Sequence, residues 1–561
     1  MSSLFQRLFN LNTAPLESAA SSWRTLGDKL ASAHTFHRQQ VTGPLESGWE
    51  GEAAKAGKEV LGILQGQMEA AHVDALLIAK VLETVRIRMT QAQTDLRNAV
   101  RSAEQEHYVV DDGTGQVKMP TWLLDAQHDP DQPALFAKYA VGMQKYQDSI
   151  NQALKDAEQA SEEGRKAITE FDPQGLHKED ALGQSAKAAK GIAKDLGVGP
   201  FGWPRGHDVK ENAAWWKGLD QDQQQLFIAM YPEKVGAMNG LPSAVRDSAN
   251  RLLLDQMLNP ARPDHAINPD EFNKQQAGLQ ALKSKLDSAD GVPAEQRLYL
   301  LKVDPRGDGR AIIAMGNPDT AANTAVLVPG TNTNLESIPG QVDRISGLQR
   351  VAMKLRPNDS TAVISWLDYE APQVKVSDSR VDLGVAGTSR AEDGGEALRE
   401  FTAGTRAAQG ERHGRLTVIG HSYGSTTMGA GAAGGRGLEA DNIIALGSPG
   451  LTVEHARDLH VDPRHVYIGT ADDDGIKRAA DKTLGIDPAT STFGAQRIRV
   501  DTSGHSGYWD WADSKTPSES LVNQGRIITG SQAPTTTGYE PAPFGRPGYD
   551  MPFPHVPQGV K

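Results

Sequence analysis

Five consecutive residues carry the first chemical signal: Gly420-His421-Ser422-Tyr423-Gly424. G-x-S-x-G is the pattern of a sharp strand-to-helix turn that presents a serine hydroxyl as a nucleophile. Its two glycines remove the Cβ atoms that would strike the flanking strand and helix. A serine hydroxyl attacks a carbonyl carbon only when a histidine accepts its proton, and the histidine needs an acid to fix its tautomer. On a sheet of this kind the acid and then the histidine follow the serine, each just beyond a later strand. Asp472, Asp473 and Asp474 follow the apolar run His465–Ile468, and His505 follows Gln496–Val500. Ser422, one of the three aspartates and His505 therefore fall in the order that acyl transfer requires. The tetrahedral intermediate also needs two donors aimed at its oxyanion. The amide of Tyr423 is expected to supply one. The other is expected from the loop Pro329-Gly330-Thr331-Asn332, with Thr331 the first choice and Asn332 the second.

These side chains need a scaffold. The apolar run Leu416–Ile419 precedes the turn and the small-residue stretch Ser425–Gly434 follows it. Further strand-like runs lie at Arg297–Val303, Arg310–Met315, Ala325–Val328, Ala362–Trp366 and Asn442–Leu446. They alternate with helical patterns at Ile345–Leu355 and Ala391–Ala408. The alternation predicts an α/β fold, a mostly parallel sheet covered on both faces, with the first hairpin as an antiparallel edge. Gly429-Ala430-Gly431-Ala432-Ala433-Gly434 spells a dinucleotide fingerprint. It lies inside a helix rather than between a strand and a helix, so no nucleotide site is expected. The Gly-bearing stretch Asp382–Gly395 reads as a flap over the site.

The preceding half is helical by period. Ala19, Ala20, Trp23, Leu26 and Leu30 share one face, breaks follow at Gly43-Pro44 and Ser47–Gly51, and a long helix runs on through Met89. A further helix spans Pro133–Glu170. The expected divisions are a hairpin at 1–112, a long helix within 113–171, a connector at 172–210, a helical segment at 211–290, the α/β domain at 291–530, and a disordered Pro/Gly-rich tail at 531–561. Within 211–290, Trp215 and Trp216 read as core. Arg246 and Asp247 read as an ion pair, either internal or on the surface.

The formal charge of −13 over 561 residues argues against a nucleic-acid binder. The absence of cysteine excludes disulfides, thiolate metal sites and a cysteine nucleophile. No cofactor or metal is expected. No apolar run approaches the ~20 residues of a spanning helix, and Met1–Asn10 does not read as a secretory signal. The expected location is the cytoplasm, or outside it by a route that needs no signal peptide.

Two resemblances extend this reading. Trp49 and Gly51 at the turn between two long helices resemble the Trp-x-Gly hairpin proteins exported by the type VII system of actinobacteria, and Tyr108–Asp112 matches their Tyr-x-x-x-acid signal. That implies a protein partner, or an export machine, for the N-terminal helices. Residues 297–512 resemble an actinobacterial α/β-hydrolase family of unassigned function. The likeness is carried by Val328–Thr331, Trp366–Pro372, Gly420–Gly424, Gly447–Gly450, Phe493-Gly494 and Gly504–Tyr508. It implies the α/β-hydrolase fold and serine hydrolase chemistry, and no substrate; the serine, aspartate and histidine themselves lead to the expectation of a small-molecule or lipid-like acyl ester as substrate. Asp474 is the preferred acid, because Asp474-Gly475-Ile476 stands where hydrolases often carry Asp-Pro-Ile. The glycine departs from that pattern, so Asp472 and Asp473 remain alternatives. Tyr369, Tyr508, Trp509 and Trp511 line an acyl pocket or belong to the core. Two rival readings are a partner-binding platform and an acyltransferase.

Overall fold

The computed structural model describes residues 3–125, 132–171, 174–177, 181–195, 203–204, 208–258, 269–373, 387–411, 413–478, 484–513, 515–533 and 535. The chain divides into two compact units. One comprises Met1–Phe36, Gly62–Trp203 and Gln221–Leu226, and the other His37–Leu61, Pro204–Asp220 and Phe227–Lys561. This partition does not follow the divisions expected above, because residues 37–61 fall in the same unit as the sheet.

The early elements are α1 (Leu4–Phe9), α2 (Ala14–His37), α3 (Gly43–Gly48) and α4 (Glu52–Gln105), then a ribbon of β1 (Val109–Val110) and β2 (Val117–Lys118), then α5 (Thr121–Asp125), α6 (Gln132–Thr169) and α7 (Ala181–Asp195). Within the helical unit α2 and α4 run antiparallel. His72 Nδ1 lies 2.8 Å from Gly27 O, and His34 lies 3.6 Å from Glu69. Gly27 permits that approach, since a Cβ there would sit 3.0 Å from Leu76. Gly43-Pro44 does not break the chain: Pro44 opens α3, where its missing N–H costs nothing. The reversal comes at Trp49–Gly51. Gly51 takes φ +95°, and the Trp49 ring covers Gly57, leaving no room for a side chain. Tyr108 is buried, its ring tilted against those of Tyr139 and Tyr146, and donates to Tyr139 O at 3.0 Å. The expected connector at 172–210 holds α7, and the expected tail lies, beyond 535, outside the described residues.

Next come α8 (Val209–Gly218), α9 (Gln221–Met230), α10 (Pro232–Ala237), α11 (Ser243–Leu258) and α12 (Pro269–Ser288). The sheet strands are β3 (Leu298–Asp304), β4 (Arg310–Met315), β5 (Asn323–Val328), β6 (Thr361–Leu367), β7 (Arg415–His421), β8 (Asn442–Leu446), β9 (Val466–Gly469) and β10 (Gln496–Arg497), in the order β10-β9-β8-β7-β5-β6-β4-β3. β3–β4 and β4–β6 pair antiparallel, and the remaining pairs are parallel. The intervening helices are α13 (Ile338–Leu355), α14 (Ser389–Gln409), α15 (Tyr423–Ala433) and, after β10, α16 (Glu519–Ile528). β5 and β6 are buried along their whole length, as strands covered on both faces must be.

Two helices bury polar faces. On α11, Asp247 accepts the Leu300 N–H at 2.8 Å, Asn250 donates to Leu300 O at 3.0 Å, and Arg251 donates to Leu298 O at 3.0 Å. These bonds satisfy the backbone groups of β3 that face away from β4. Arg251 and Arg297 also pair with Asp247, and Arg38 reaches Asp290 at 3.1 Å beside them. Arg246 turns elsewhere, to Gly236 O and over the Phe401 ring. Both residues of the expected Arg246–Asp247 pair are therefore internal, but they serve different partners. On α16, Ser520 and Gln524 grip Tyr508 O, at 3.0 and 2.9 Å.

Candidate active site

β7 delivers Ser422 to the carboxyl edge of the sheet. Ser422 takes φ 52°, ψ −132°, a conformation that costs a non-glycine residue on the order of 1–3 kcal/mol. Its surroundings hold it there: its N–H donates to Leu446 O at 3.0 Å, and Ser425 donates to its carbonyl from both the amide (2.9 Å) and the hydroxyl (2.6 Å). The elbow glycines answer to close packing. A Cβ on Gly420 would lie 2.5 Å from Ser425 Cα, and one on Gly424 would overlap Val328 O and Pro329 O.

The loop after β9 carries the three aspartates, and they divide the work. Asp474 is 2 % exposed and lies 2.9 and 3.0 Å from His505 Nδ1 through its two oxygens. It also accepts from Tyr508 Oη at 2.5 Å and from the Ile476 amide at 2.9 Å. Burial alone would raise its pKa, but the hydrogen bonds and charge from His505, with those from Tyr508 and Ile476, hold it below the usual carboxylate range. Asp473 instead anchors the turn before the histidine, accepting from Ser503 Oγ and from the Gly504 amide at 2.7 Å. Asp472 sits exposed in the same turn. Among the described residues the His505 ring hydrogen-bonds only to Asp474, so its link to Ser422 Oγ is not closed here. Such links often tighten only when substrate is bound.

His421 was not expected at the site. Its Nε2 lies 2.6 Å from the His505 carbonyl, and its ring packs 4.9 Å from that of His505 and 5.0 Å from Trp509. Burial, then the neighbouring His505 and Arg344, push its pKa down to about 3. It is therefore neutral, and the contact assigns its proton to Nε2. No sequence pattern announced this contact, because the two histidines are joined only by the fold.

On the side where the oxyanion donors were expected, Tyr423 is the first residue of α15, so its N–H has no acceptor within the helix. Gly330 lies against Ser422: a Cβ there would stand 3.2 Å from Ser422 Oγ. Thr331 follows it. The Asn332 amide donates to Pro372 O at 2.9 Å and is committed there, with the residue at φ 59°. Tyr369 donates to Pro329 O at 2.6 Å and stacks on Tyr423, bracing this loop. Tyr369, Tyr508 and Trp509 are core residues, and Trp511 packs beneath Arg350. Of the expected flap, residues 382–386 lie outside the described residues. From Ser389 the chain is helical, with Gly394 against Tyr369 and Gly395 against Gly431. That second contact gives the glycines of 429–434 a packing role. Among the described residues no cluster of three or more His, Asp or Glu could hold a metal, and no helix is long and apolar enough to cross a membrane.

Residues 304–483 match an alpha/beta hydrolase family model, a span that includes Ser422 and Asp474 and ends before His505. The chain is 26% identical over 612 residues to the uncharacterized protein Rv2079 of Mycobacterium tuberculosis, an alignment covering 96% of this chain and 89% of that one. It is 32% identical over 201 residues to the uncharacterized protein Mb0988c of Mycobacterium bovis, covering 34% of this chain and 70% of that one. With its mostly parallel sheet, its serine turn and these mycobacterial relatives, the chain belongs to the α/β-hydrolase family.

Proposed function

We propose that the protein is a serine hydrolase that cleaves carboxylic esters through an acyl-enzyme on Ser422. The observation that carries this reading is the hydrogen-bonded pair of Asp474 and His505 Nδ1 at the sheet edge where Ser422 is held at positive φ. With Nδ1 facing the carboxylate, His505 keeps Nε2 for the serine proton. Ser422 Oγ attacks the carbonyl carbon as His505 takes its proton, and the Asp474 carboxylate stabilises the imidazolium. The amides of Tyr423 and Thr331 receive the oxyanion. His505 then returns the proton to the departing alcohol, and water activated by the same imidazole clears the acyl group.

A fluorophosphonate probe tests the assignment. Wild type is expected to be labelled and Ser422→Ala not; labelling that survives the substitution removes Ser422 from the mechanism. p-Nitrophenyl esters of increasing chain length, run beside the same variant, would define the acyl group accepted.

A further inference from the structure

We infer that Tyr508 is a positioning residue whose phenol holds the Asp474 carboxylate against His505 and draws off part of its charge. The inference rests on the serine-hydrolase reading above. Tyr508 is fully buried, and its oxygen accepts the Ala471 N–H at 3.2 Å while lying 2.5 Å from Asp474 Oδ2. With an amide donating to the phenol oxygen, the phenol proton is directed at the carboxylate. The ring has little freedom to leave, because Ser520 and Gln524 on α16 hold the Tyr508 carbonyl. Gly447, at φ 52°, keeps the space open: a Cβ there would stand 2.8 Å from Asp474 Oδ2 and 3.0 Å from Tyr508 Oη. Burial and the adjacent Asp474 charge push the Tyr508 phenol up, so it stays a donor.

The consequence is a set strength for the acid. A carboxylate that shares its charge with a phenol has less to offer the imidazolium that forms as Ser422 gives up its proton. The other ionisable groups packed around this pair are Asp473 in the same loop, His421 from β7, Arg344 from α13, and Asp510 beyond Trp509. All of them are unchanged by a substitution at 508.

The test follows the rate of fluorophosphonate labelling at Ser422 in the full chain across about pH 5 to 9. In Tyr508→Phe the acid limb of the profile is expected to move up by roughly half to one pH unit. On that limb the rate should fall roughly three- to tenfold. A second variant carries 3-fluorotyrosine in place of Tyr508, keeping the shape and strengthening the donor, and its limb is expected to move down. If Tyr508→Phe does not fold, the fluorinated protein decides alone. Limbs that superimpose on wild type, even with a uniformly lower rate, overturn the inference and leave the hydrolase reading standing. A wild type that is not labelled at Ser422 overturns that reading, and the inference with it.

Discussion

Asp474 beside the sheet and Asp74 in the helical unit are both largely buried carboxylates, and they sit on opposite sides of the ordinary range. Asp474 has His505, Tyr508 and the Ile476 amide as donors, and it is held low. Burial raises Asp74 to about 6, opposed by a hydrogen bond from Ser185, and its Oδ1 has no hydrogen-bond partner among the described residues. Burial is common to the two, so the number of donors makes the difference. A carboxylate supplied with donors stays charged and can orient a base, whereas one left short of them resists ionisation.

The sharpest way to break the comparison is to remove the charge where the proposed mechanism uses it. Asp474→Asn keeps the shape but favours the wrong His505 tautomer, and kcat is expected to fall by roughly four orders of magnitude. A fall of less than tenfold in ester hydrolysis would mean that another group orients the histidine. Asp247, a third buried carboxylate, accepts from Arg251, Arg297 and the Leu300 amide. Asp247→Ala leaves two cations and an amide without that partner, and about 3 kcal/mol or more of stability should be lost in denaturant melts. Hydrogen exchange at Leu300 should rise with it. Asp74→Asn sharpens the contrast with the smallest effect and the opposite sign. An acid raised in the fold from its ordinary 3.8 to about 6 loses native stability as pH rises between those values. The variant is therefore expected to be more stable than wild type by on the order of 1 kcal/mol at about pH 7.5, after discounting solvent screening, and to lose that advantage near pH 4. A variant less stable at both pH values would show that the Asp74 charge is wanted. For Asp474 the sign reverses: the stability its hydrogen bonds contribute is present above the ordinary value and disappears as pH falls through its lowered pKa.

The contrast also explains what could be read from the sequence. The strands were legible as apolar runs, most within a residue or two of their ends, because a sheet buried on both faces leaves little choice of side chain. β10 is the exception: only Gln496–Arg497 pair, and Ile498 continues as an isolated bridge to Thr535. The positions of Ser422, the aspartate loop and His505 were legible because strand order dictates them. α16 was not. Its buried face interleaves Leu521, Ile527 and Ile528 with Ser520, Asn523 and Gln524, and the three polar residues, which serve backbone groups, interrupt the apolar pattern. The polar face of α11 hides its purpose in the same way. The contact between His421 and His505 joins positions 84 residues apart, and the choice among three adjacent aspartates depends on side-chain direction. The first leaves no mark in local pattern; for the second, Asp474-Gly475-Ile476 favoured one aspartate without deciding among the three.

The side chains of α11 that engage β3 also bear on how molecules of this protein can meet. An outermost strand normally offers a row of amides and carbonyls on which a foreign segment can pair. Here Asp247, Asn250 and Arg251 already occupy that row at Leu298 and Leu300. At these two residues the border is already paired, so a second copy or a peptide adding a strand there would first have to displace side chains of α11.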